Sequence, residues 1–342
     1  TDPALAAALG TRLSGAVQVD YKSGQPIRIT GLEASGADYG LTGEATFDIA
    51  ETIPLALDLR VVAQDIARFS GLAGRDLDGR AEASIVGAVG PVSGMFDLVV
   101  DATTLDIQVA QDVADRILAG VGSARLDLRR DETGTTIRTA RVVTPGADID
   151  VAGKITSDAT NVTFGGSLRN LDHLYPGEAE GSADLRGSVS LSGVRLTELN
   201  LNAELSNGSS PVRLPFAGGL SLGNATVEAG ATGGPTGTWT TQVQTRDLRS
   251  SVLSASTLKL SGAGPLSQTD SGTLASIGGD ITASGAGVRM ADARLAQALG
   301  PAQSVVATFD WTQDSERLEL GRFALDTGSI DATGSAVLTD VL

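Results

Sequence analysis

GADYGLTGEATFD at 36–48 and GADIDVAGKITSD at 146–158 are two spellings of one segment, 110 residues apart. The match runs without a gap from 10–48 onto 120–158. It pairs Gly10, Gly24, Ile27, Arg28, Gly36, Ala37, Asp38, Gly43, Thr46 and Asp48 with identical residues. A composition this rich in Gly and Ala gives about three such identities by chance. A looser copy, LDTGSIDATGSAVLTD at 325–340, keeps Gly328, Gly334, Thr339 and Asp340 in register after one deletion. Self-similarity at a fixed period is the mark of a repeat architecture. The chain therefore reads as one continuous segment over 1–342. Its units are 3–48, 107–158 and 290–340, with further strands over 49–106 and 159–289.

Inside each unit the apolar residues alternate. Val17, Val19 and Tyr21 share one face; Ile27 and Ile29 follow the turn KSGQP at 22–26, and then come Tyr39, Leu41, Ala45 and Phe47. The second copy gives Leu126 and Leu128, the turn DETG at 131–134, Ile137, and then Ile149, Val151 and Ile155. Leu55, Leu57, Leu59 and Val61 lie between the copies; Leu199, Leu201, Ala203 and Leu205, and finally Leu318 and Leu320, continue the pattern. Period-two alternation broken by Gly, Asp, Asn and Ser predicts half-buried antiparallel strands. The matched glycines belong where a positive φ or a bulge is needed. The fold class expected is all-β: a long, curled antiparallel sheet forming a groove, with a few short helices.

Those helices are expected near 10, 70, 115 and 295. PALAAALG (3–10), DIARFSGLAG (65–74) and ADARLAQALG (291–300) each end in glycine. Near 115, Val109, Val113 and Ile117 make an apolar stripe and Gly120 the positive-φ cap. Each is too short to stand alone and must dock. The Gly/Ser/Thr-rich stretches 206–238 and 261–287 read as long loops between strands, although LSL (220–222), ATVEA (225–229) and LKL (258–260) still alternate.

Composition narrows the function. A net charge of −16 argues against nucleic acid and against adsorption to anionic headgroups. With no cysteine there is no disulfide framework, thiolate metal site or cysteine nucleophile. No apolar run reaches the ~20 residues of a membrane helix. His173 is the one histidine and has no nucleophile elbow beside it. GGPTG at 233–237 lacks the lysine and helix of a phosphate loop. Acidic residues such as Asp127, Asp148 and Asp150 read as scattered singly. No catalytic residue, metal site or cofactor is expected.

LDGRAEASIVGAVGPVSGMFDL (77–98) and GEAEGSADLRGSVSLSGVRLTELNL (177–201), with the short helix–Gly units, resemble the repeat region of the TamB/AsmA-like family of bridge-like lipid-transfer proteins of Gram-negative bacteria. The resemblance implies a taco-shaped groove in the periplasm, within a longer parent anchored in the inner membrane. It implies phospholipid acyl chains as the cargo, a role in outer-membrane biogenesis, and a TamA-type barrel as partner of the parent. The groove would be lined by Val17, Val19, Ile27, Ile29, Tyr39, Leu41, Phe47, Leu57, Leu59, Leu126, Leu128, Ile137, Ile149, Val151, Ile155, Leu199, Leu201, Leu318 and Leu320. Two other readings compete. One is a structural solenoid or surface passenger filled by its own side chains; the other is a polysaccharide-cleaving β-helix, which needs a carboxylate cluster. A one-sided sheet this long exposes far more apolar surface than a soluble monomer tolerates. Side chains or lipid must cover it.

Overall fold

The computed structural model describes the chain apart from residues 1–6, 9, 11–12, 49–50, 52, 216–218, 235–236, 295–296, 298–303, 314–316, 327–330 and 340–342. Strand accounts for 67% of it and helix for 8%. Two compact units divide the chain, residues 1–156 and 157–342.

The first unit is an antiparallel meander. Its strands are β1 (Ser14–Ala16), β2 (Val19–Asp20), β3 (Ile27–Ser35), β4 (Tyr39–Phe47), β5 (Leu55–Ala63), β6 (Asp78–Val89), β7 (Phe96–Gln108), β8 (Val121–Asp131), β9 (Gly134–Val143) and β10 (Ala147–Ile155). β1 and β2 both pair with β3, and from β3 to β10 each strand pairs with the next. Among the described residues nothing joins β10 back to β1, so this sheet does not close into a barrel.

Register turns the alternation into faces. Leu32, Gly43, Leu59, Ile85, Val100, Leu126, Ala140 and Val151 form one unbroken row across eight strands. The polar row beside it runs Glu33, Thr42, Arg60, Ser84, Asp101, Arg125, Arg141, Asp150. Side chains in neighbouring rows point to opposite sides of the sheet. One face is thus mainly apolar, with Thr104, Arg130 and Thr135 toward its edges, and the other mainly polar and charged.

The matched glycines keep matched backbones. Gly10 and Gly120 have φ of 74° and 85°, Gly24 and Gly134 of 76° and 125°, Gly43 and Gly153 of 151° and 155°. Gly43 and Gly153 each sit next to a register shift, between Ile29 and Leu32 and between Val151 and Gly153. These are β-bulges, which bend and twist a strand where they occur.

The second unit contains β11 (Ala159–Leu168), β12 (Ser182–Ser192), β13 (Arg195–Ser206), β14 (Val212–Leu214), β15 (Leu220–Leu222), β16 (Asn224–Thr232), β17 (Gly237–Arg249), β18 (Leu253–Gln268), β19 (Leu274–Ala286), β20 (Arg289–Met290), β21 (Ser304–Thr312), β22 (Arg317–Asp326) and β23 (Asp331–Thr339). Here too the register segregates an apolar row: Leu185, Ala203, Val227, Val243, Leu260, Ala283 and Val305. The stretches 206–238 and 261–287, expected as loops, are mostly strand. Their small residues serve packing. The Trp239 ring lies over Gly262, where a Cβ would collide with it; its Nε1 donates to the Gly278 carbonyl at 2.7 Å. Gly264 and Gly279 let β18 and β19 approach so closely that a Cβ on either would strike the other's backbone.

β13 pairs directly with β16, so the β14–β15 hairpin hangs from one rim of the sheet. With the turn Leu171–His173 it forms the main core: Leu171, Ala179, Ala183, Val212, Leu222, Ala225, Leu248, Ala255 and Val288. Val212 is 0% exposed. At the opposite rim the Gln268 side chain grips Leu196, accepting from its N–H at 2.9 Å and donating to its C=O at 3.0 Å. A flat sheet would hold β13 and β18 about 14 Å apart, three strand steps. The sheet curls there.

The helices occupy a rim as well. In the first unit a 3-10 turn, Ala67–Phe69, runs into the helix Ser70–Ala73, which ends on left-handed Gly74. The helix Asp112–Leu118 begins later than the stripe from Val109 implies, because Ala110 has φ 54° and cannot be helical. Val113 is 49% exposed, and Ala114, Ile117 and Leu118 are the half-buried side. Gly120 has the expected left-handed φ, but its N–H goes to the Asp106 carboxylate at 2.8 Å rather than to a helix carbonyl. The helices expected near 10 and 295 lie largely outside the described residues; 7–8 and 293–294 are helical.

Candidate functional site

The register of the first unit gathers most of the expected lining residues. Val19, Ile27, Ile29, Tyr39, Leu41, Phe47, Leu57, Leu59, Leu126, Leu128, Ile137, Ile149, Val151 and Ile155 all fall on its apolar face. Val17 does not: it sits in the break between β1 and β2, 58% exposed. Leu199, Leu201, Leu318 and Leu320 fall on the apolar face of the second unit. Sequence reading missed Leu32, Ile85, Val89, Phe96, Leu98 and Val100, which complete the first face. Their signal was present as alternation over 81–100, and Val86 and Val99 on the other face blurred it.

How deeply these side chains are buried decides what the face is. The buried apolar residues of the first unit are alanines, namely Ala8, Ala45, Ala63 and Ala147. Among the described residues, none of its leucines, isoleucines, valines or phenylalanines is fully buried; most of those on the apolar face are partly covered, and Ile155 is 41% exposed.

The opposite face is electrostatic. Asp127 and Asp148, which read as isolated acids, belong to a ladder of ion pairs. Arg138 binds both Asp97 and Asp127; Arg125 grips Asp101 at 2.8 and 2.9 Å; Arg141 meets Asp148 at 2.7 Å; Arg60 pairs with Glu82. The hydrogen bond from Arg138 holds the Asp97 carboxyl below the usual carboxylate range, with the charges of Arg138 and Arg129 adding to it. A cavity of ≈ 610 Å³ on this face is lined by Arg60, Glu82, Asp101, Arg125 and Arg141. In the second unit one of ≈ 520 Å³ is lined by Asn200, Asn202, Glu228, Gln242 and Asp280. Leu59, Ala83, Ala102 and Ala124 also line the first, and Leu201, Ala229 and Ala263 the second.

At the helix-bearing rim of the first unit Arg68 acts as a clasp. It pairs with Asp38, donates to the Ala8 carbonyl at 3.0 Å, and stacks 5.0 Å from the Tyr39 ring centre. Tyr39 in turn meets Phe69 edge-on. His173 is exposed on its 3-10 turn. Among the described residues no group of three or more His, Cys, Asp or Glu side chains is placed to hold a metal ion. None of their helices is long and apolar enough to cross a membrane.

No family model, curated protein or solved structure matches this chain.

Proposed function

We propose that the apolar faces of this chain carry phospholipid acyl chains, as part of a non-enzymatic lipid-transfer protein of the TamB/AsmA-like kind. One observation carries the reading: the first unit places most of its large apolar side chains on one face and, among the described residues, leaves them all at least partly exposed. A self-filled solenoid would bury them. Each acyl CH₂ moved out of water is worth ~0.8 kcal/mol, so a 16-carbon tail half covered by an open face gains about 6 kcal/mol. That is enough to copurify and little enough to slide. In this reading the parent works in the periplasm, between the membranes of a Gram-negative envelope, and a TamA-type barrel is its partner.

The second reading, a self-filled rod, draws on the core around Val212. That core covers only one rim of the second unit.

The test is lipid mass spectrometry on organic extracts of the purified chain. Several phospholipids per chain, without headgroup preference, are expected. Extracts at background would return the argument to the rod.

A further inference from the structure

We propose that an arginine–serine row on the polar face of the second unit, at the rim that bears the β14–β15 hairpin, is a phosphate-binding site. Five short pairings meet there in one line. Glu180 bridges to Arg213, Arg213 pairs with Ser221, Ser221 with Arg249, Arg249 with Ser254, and Ser254 with Arg289. Cross-strand neighbours in one line share a face. The residues flanking them, Val212, Leu222, Leu248, Ala255 and Val288, all enter the core on the other side. Successive arginines are two strand steps apart, about 10 Å between Cα atoms. The arginines are exposed and the serines between them half-buried. Exposed guanidinium groups thus alternate with half-buried hydroxyls along the row.

What marks the row is the missing acid. On the polar face of the first unit Asp101 answers Arg125 and Asp97 answers Arg129, whereas Arg60 lies between Thr42 and Ser84 and reaches Glu82 on a diagonal. In the row, serine stands in that place. Arg213 alone has a carboxylate, Glu180 at 2.9 Å. Among the described residues Arg249 and Arg289 make no ion pair or hydrogen bond, and the hydroxyls of Ser221 and Ser254 have no partner. Other described arginines, Arg28, Arg80, Arg186 and Arg246 among them, also lack an ion pair; in this row two such groups lie in one line with a hydroxyl between them. Each planar fork fits two oxygens of a phosphate, and the hydroxyl between them supplies a third donor. A carboxylate would satisfy one fork; a tetrahedral phosphate engages Arg249, Ser254 and Arg289 together. The group bound is a phosphate mono- or diester, from a soluble phosphate or a lipid headgroup. The site does not depend on the apolar faces, so it stands or falls apart from the lipid reading.

The experiment is calorimetric titration of the chain at low ionic strength with inorganic phosphate, and separately with dihexanoyl phosphatidylglycerol below its micelle threshold. Saturable binding should weaken about tenfold or more in Arg249→Gln and in Arg289→Gln, and about threefold in Arg249→Lys, which keeps the charge and loses the fork. Arg60→Gln, whose partner is Glu82, should change nothing. Equal binding of both probes assigns a soluble phosphate; binding of the lipid alone, lost in the same variants, assigns a headgroup. Melting curves identify any variant that misfolds, and the lysine variant then decides. No saturable binding of either probe overturns the proposal, as does binding that survives both glutamine variants.

Discussion

Gly43 and Gly153 show why the repeat keeps glycine in the middle of a strand. Their φ near +150° lies in a region that only glycine occupies at low cost, and a Cβ on Gly43 would run into the Asp58 carbonyl and the Leu59 Cα. Gly43→Ala should therefore cost about 1–3 kcal/mol. Gly40 in the same strand faces open space, and Gly40→Ala should be neutral or gain up to about 1 kcal/mol by restricting the unfolded chain. Urea unfolding of the two variants checks this, and equal effects would refute the bulge argument. The sequence made the glycine pairs legible, because they recur at a fixed offset. It did not show that Thr30 and Gly31 slip out of register beside Gly43, because a bulge is a property of two paired strands.

At the scale of elements, the strands of the first unit were legible and those around 206–287 were not, for a physical reason. Alternation announces a strand when its inward side chains are large, as at Leu55, Leu57 and Leu59. In β18 and β19 the inward places at Gly262, Gly264 and Gly279 are emptied to seat Trp239 and bring two backbones together, so the text imitates a loop. The β14–β15 hairpin was hidden likewise, since only its contact with the turn at Leu171 gives it purpose. Burial now sets an expected inversion. Val212→Ala removes two methyls from a sealed core and should cost about 2 kcal/mol. Leu126→Ala removes more carbon, yet from a half-exposed face, and should cost only about 1 kcal/mol. Melting of the two variants measures it; a Leu126→Ala loss larger than that of Val212→Ala would mean the apolar face is covered.

For the whole molecule, the proposed passage of acyl chains along the apolar faces predicts sensitivity to single charges that folding tolerates. Val151→Asp places a carboxylate on the floor of the first unit, where water reaches it and the fold persists. A passing acyl chain must strip that water, at ~2.5–3.5 kcal/mol, which slows passage about a hundredfold. Thr42→Asp, on the exposed polar face, should leave transfer unchanged. Transfer of labelled phospholipid between vesicles, read beside the melting curve, separates the outcomes: normal transfer by Val151→Asp would remove the floor from the pathway, and loss of the fold would favour the filled rod. The ladder carries one more consequence. Among the described residues each strand pairs with strands close to it in the chain, the widest skip being from β13 to β16. A polypeptide threading out of a pore in N-to-C order would find the template for each new hairpin already standing. Such a chain can be folded vectorially, its leading end complete while its tail is still in transit.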